Sequence, residues 1–88
     1  MLDETLLKIK NLKAELAQLD AAHAGKAASV AGFADAAANE AARKDRSPKR
    51  VKLALEGLED AAQEFEATHP NLTTAAAEIC RELSSLGI

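Results

Sequence analysis

The sequence predicts an all-α protein: three to four short helices packed as antiparallel hairpins in one helical bundle spanning residues 1–88. Three observations carry this. Large apolar residues return every three or four positions, 21 of the 88 residues are alanine, and Gly, Ser, Pro and charge separate the patterned stretches. A step of three or four keeps side chains on one face of a helix. Alanine adds to the case because it loses no side-chain entropy on becoming helical.

The first helix is expected over about residues 2–22. Leu2, Leu6, Ile9, Leu12, Leu16 and Leu19 fall on one stripe, and Asp3 and Glu4 sit where the helix dipole favours negative charge. Gly25 is the expected stop. A second helix, about 26–44, carries Val30 and Phe33 as its large residues, with Ala34, Ala37 and Ala41 continuing their face. Small side chains let a neighbour approach closely, so this segment reads as a close-packed filler. In "DRSPKR", Ser47 suits an N-cap and Pro48 the first helical position, opening a third helix over about 48–67. Its stripe is Val51, Ala54, Leu55, Leu58, Ala62 and Phe65. Pro70 pushes His69 out of helical geometry and opens a fourth helix, about 70–86, with Leu72, Ala75, Ala76, Ile79, Leu83 and Leu86 in line. Gly87 then fits a left-handed position after the helix, with Ile88 folding back on Leu83.

Composition bounds the assembly. The chain has 12 Leu, 3 Ile, 2 Val and 2 Phe, with neither Trp nor Tyr. So small a domain buries only about 60–65% of its unfolded surface, and a core this lean is expected to gain burial from a second copy. The expected partner is thus a homo-oligomer, a dimer, or a protein of unknown identity. Cys80 is the single cysteine, which fits a reducing, cytoplasmic setting. Asp3 and Glu4 stand where a secretory signal carries positive charge, and no stretch reaches the apolar length of a membrane span.

The last third carries a more specific pattern. Phe65, Glu66, Thr68, His69, Pro70, Leu72 and Thr73 are followed by Leu83, Ser84, Leu86, Gly87 and Ile88. This ending resembles a small bacterial family of unknown function, the domain-of-unknown-function 4404 family. In it Phe-Glu-x-Ser/Thr-His-Pro-x-Leu-Thr precedes a closing Leu-Ser-x-Met/Leu-Gly-Ile. The opening "LDETLLKIKNLKAEL" is similar in character. The alanine-rich middle departs from the family, which carries more Leu and Glu there. The resemblance implies a small helical protein and brings no activity, ligand or catalytic residue.

Candidate chemistry is sparse. His69 would need His23, Cys80 or a carboxylate as companion, and none lies at metal-site spacing. A capping or hinge role beside Pro70, with the imidazole bonded to backbone, is the plainer reading. His23 reads as a surface residue at a turn, and Cys80 as a small buried hydrophobe. No glycine-rich phosphate loop or spaced nucleophile and base is present. The sequence therefore predicts no enzyme, no catalytic or metal residue and no cofactor.

One stretch is skewed. "RKDRSPKRVK" sets Arg43, Lys44, Arg46, Lys49, Arg50 and Lys52 against Asp45, in a chain of net charge −3. Arg43, Lys44 and Arg46 suit a helix C-terminus, whereas Lys49, Arg50 and Lys52 oppose the dipole at a helix start. This patch supports the lesser alternative, electrostatic binding of nucleic acid or an anionic surface, although no aromatic side chain interleaves it. The favoured expectation is an interaction or assembly module meeting its partner through Leu6, Ile9, Leu16, Leu55, Leu58 and Phe65. Leu72, Ile79 and Leu83 are expected to close the fold.

Overall fold

The computed structural model describes residues 2–85, with backbone alone at Leu2. Four helices follow one another: α1 (Leu2–Ala17), α2 (Ala24–Ala41), α3 (Pro48–Gln63) and α4 (Pro70–Ser84), with a 3-10 turn, Ala21–His23, leading into α2. Cross-links between neighbours fix the directions. On α1 and α4, Thr5 and Lys8 reach Glu82, and Lys8 also lies 3.8 Å from Glu78. On α2 and α3, Lys26 meets Glu64 while Glu40 meets Arg50. On α3 and α4, Thr73 donates to the Ala62 carbonyl and the Cys80 thiol to that of Leu55. Each pair is antiparallel. α1 packs on α2 and α4, α3 packs on α2 and α4, and α2 touches α4 across the diagonal. The result is an up-down-up-down bundle with short connections.

The start of α3 follows its sequence signals. Ser47 accepts from the Arg50 N–H at 3.3 Å, and Pro48 takes the first helical position. The end is shorter than expected. Regular helix stops at Gln63, and the bonds from Phe65 N–H to Ala62 and from Glu66 N–H to Gln63 tighten the chain into successive turns. α1 likewise ends at Ala17 instead of about 22. Gly25 is not its stop. Asp20 takes extended backbone (φ −70°, ψ 171°), the 3-10 turn follows, and Gly25 already lies in the first turn of α2. The expected Leu83–Ile88 cap falls outside the described residues.

The core closes within one chain. Val30, Leu58, Phe65, Ile79 and Leu83 have no exposed surface, and Ala34, Ala37 and Ala41 bring α2 close against its neighbours. Alanine thus supplies by close approach what the chain lacks in bulk. Periodicity leaves open which stripe residues face inward, and burial in the single chain divides them. Ile9, Leu16, Leu55, Leu58 and Phe65, expected to meet a partner, are all buried in the chain's own core. Leu6 alone of the six is exposed, at 39%. It flanks the stripe, and the α2 residues across from it, Asp35, Ala38 and Asn39, are too short to cover it. Thr5 takes the inner position instead and donates to Glu82 Oε1 at 2.9 Å. Phe33 also leaves the expected face: it is 40% exposed and lies over Gly57 of α3, where an added Cβ would overlap the ring.

Candidate functional site

Two ends and one groove hold the residues with chemistry to offer. The first end carries the basic turn between α2 and α3. Its six cations divide by what they touch. Arg43 bonds Asp45 and approaches Glu40, Arg46 donates to the Ala41 carbonyl at 3.2 Å, and Arg50 lies 3.6 Å from Glu40. The Arg43 guanidinium holds the Asp45 carboxyl below its usual range through their hydrogen bond and charge. These three arginines close the turn and satisfy the end of α2. Arg50 has a structural partner after all, which its place at a helix start did not suggest. Lys44, Lys49 and Lys52 have no ion pair among the described residues.

At the opposite end the two remaining connections meet. The His23 ring lies 5.9 Å from Phe65 and 5.4 Å from His69, and Phe65 and His69 are 5.9 Å apart edge to face. His23 Nδ1 pairs with Asp20 Oδ1 at 2.6 Å, holding the Asp20 carboxyl low, and His69 Nδ1 pairs with the Thr68 hydroxyl at 3.0 Å. His69 therefore bonds a side chain, not the backbone as expected, while its own N–H reaches the Phe65 carbonyl. His23 is half-buried, more than a surface turn residue. Together the two imidazoles cover the buried Phe65 ring. No group of three or more metal-ligating side chains is present among the described residues.

Between α3 and α4 runs an open groove of about 520 Å³. Val51, Leu55 and Cys80 form its floor, each almost fully buried. Lys49, Lys52, Glu56 and Glu59 stand on its rim. Burial, then the nearby Glu59 carboxylate, pushes the Cys80 thiol from near 9.0 up to about 11, so it stays protonated and unreactive at neutral pH. The groove offers shape and charge but no activated nucleophile.

Among the described residues, the exposed large apolar side chains are Leu6, Leu7, Phe33 and Leu53, the last on α3 beside the charged rim. Among the described residues, no helix is long and apolar enough to cross a membrane. Neither the curated proteins nor the solved structures include a match to this chain. The ring cluster and the Thr68–His69–Pro70 connection instead lie within the span that a family model recognises. That model, described as Domain of unknown function (DUF4404), matches residues 4–88, and the chain belongs to this family.

Proposed function

We propose that the protein is an interaction and assembly module: a preformed helical bundle that offers outer helix faces to a second copy of itself. The observation that carries this reading is the apolar bulk left outside a closed core. Leu7 and Leu53 are 58% and 57% exposed, and Phe33 and Leu6 are near 40%. In a chain so poor in large side chains, each forgoes roughly half of the about 1.5–3 kcal/mol that full burial brings, unless something covers it. The reading needs no cofactor and no reaction, and the buried, protonated Cys80 fits a reducing bacterial cytoplasm.

The electrostatic alternative has less support. Three of its six cations are engaged in closing the turn. The free Lys49 and Lys52 share their rim with Glu56 and Glu59, so a phosphate chain laid along it would meet repulsion within two helical turns.

Size-exclusion chromatography with light scattering, run from low to high micromolar concentration, tests the proposal. The expected mass rises toward twice 9.2 kDa. A constant single-chain mass at high micromolar concentration would overturn it.

A further inference from the structure

We infer that two copies pair through α3, antiparallel, with a two-fold axis at the level of Ala54. The inference rests on the assembly reading and names its surface and its partner. Lys49, Lys52, Glu56 and Glu59 all line the rim of the α3–α4 groove, and all four are exposed. None has an ion-pair partner among the described residues. On the other flank Arg50 of α3 is already engaged with Glu40, and Glu64, just past the end of the helix, with Lys26.

The order of signs is what points to a copy. Along α3 the cations come first and the carboxylates later, the reverse of what the helix dipole favours. In a two-fold contact, residue i meets j and j meets i. Lys49 and Glu59 stand five residues either side of Ala54, and Lys52 and Glu56 stand two either side. An antiparallel copy centred there sets Lys49 opposite Glu59 and Lys52 opposite Glu56, and does so twice. At 100° per residue the four share an arc of about 80° on the wheel, so one approach direction serves them all. A parallel copy would set like charge on like.

Leu53 projects about 40° outside that arc, beyond Lys49 and away from the groove, and is the exposed apolar side chain nearest this contact. Exposed ion pairs add little affinity by themselves. They fix register and direction, while Leu53 and the aliphatic stems of Lys49 and Lys52 supply the burial.

Charge exchange tests the pairing. The double substitution K49E/K52E makes the rim wholly acidic, and E56K/E59K makes it wholly basic. Each alone should self-associate at least tenfold more weakly than the wild type, with an unchanged circular dichroism spectrum. Mixed in equal amounts they should form a dimer, because every acid then faces a base. The quadruple exchange K49E/K52E/E56K/E59K should dimerise like the wild type. A dimeric wild type whose double variants dimerise equally well, or whose mixture fails to recover association, overturns the α3 pairing and leaves the assembly reading standing. A monomeric wild type removes both.

Discussion

Leu6 and Phe33 show what decides a single side chain's fate in a bundle built largely from alanine. Both belong to stripes that periodicity alone turns inward, and both end near the surface. The neighbouring helix decides: Leu6 faces Asp35, Ala38 and Asn39, and Phe33 faces the bare backbone of Gly57. Residue type and spacing cannot reveal such a partner, because the facing residue comes from another part of the chain. The glycines give a matched pair of tests. Nothing lies within 4 Å of a Cβ added at Gly32, so Gly32→Ala should stabilise by about 1 kcal/mol through helix propensity. Thermal unfolding should then shift upward by about 4–8 °C. Gly57→Ala should gain less, because the Phe33 ring must swing away to admit the methyl group.

Helix by helix, the legible parts were those with local chemistry. Ser47 and Pro48 mark the start of α3, and Pro70 that of α4, because a cap and a proline act within a few residues of themselves. Ser47→Ala should therefore cost about 1 kcal/mol, read as a lower denaturant midpoint with unchanged slope. The end of α1 was not legible. Gly25 carried the usual stop signal, yet Asp20, an extended residue followed by a tight turn, redirects the chain five residues earlier. The turn is fixed by what it packs against: His23 must reach Phe65. The opposition of Lys49, Arg50 and Lys52 to the α3 dipole was readable from their signs, whereas the engagement of Arg50 by Glu40 needed the antiparallel placement of α2 beside α3.

For the molecule as a whole, the sequence conveyed the bundle but not what meets at its ends. His23 and His69 are 46 positions apart and share no periodicity, and only the up-down-up-down topology brings their connections together. Charges distributed over the surface set the response to pH. The Glu82 carboxyl is held below its ordinary 4.5 by the Lys8 bond first and by Thr5 next, and Asp20 and Asp45 are held below 3.8. A lowered folded value means stability that is complete above the ordinary value and lost as pH falls through the folded one. On the alkaline side Cys80 and Lys8 are raised, so their contributions hold below about 9.0 and 10.5 and fade as pH rises beyond. Thermal unfolding followed across pH should show a plateau through neutrality, a fall below about pH 4.5 and a second fall above about pH 9.

The clasp of Thr5 and Lys8 on Glu82 has a mechanical corollary. It fastens the opening helix to the closing one near the pole from which both leave the bundle. Tension applied through those two helices would peel α1 from α4 in sequence, as a zipper opens, instead of sliding them past each other. The Glu82 fastening would take the load first, and little of the remaining bundle could share it.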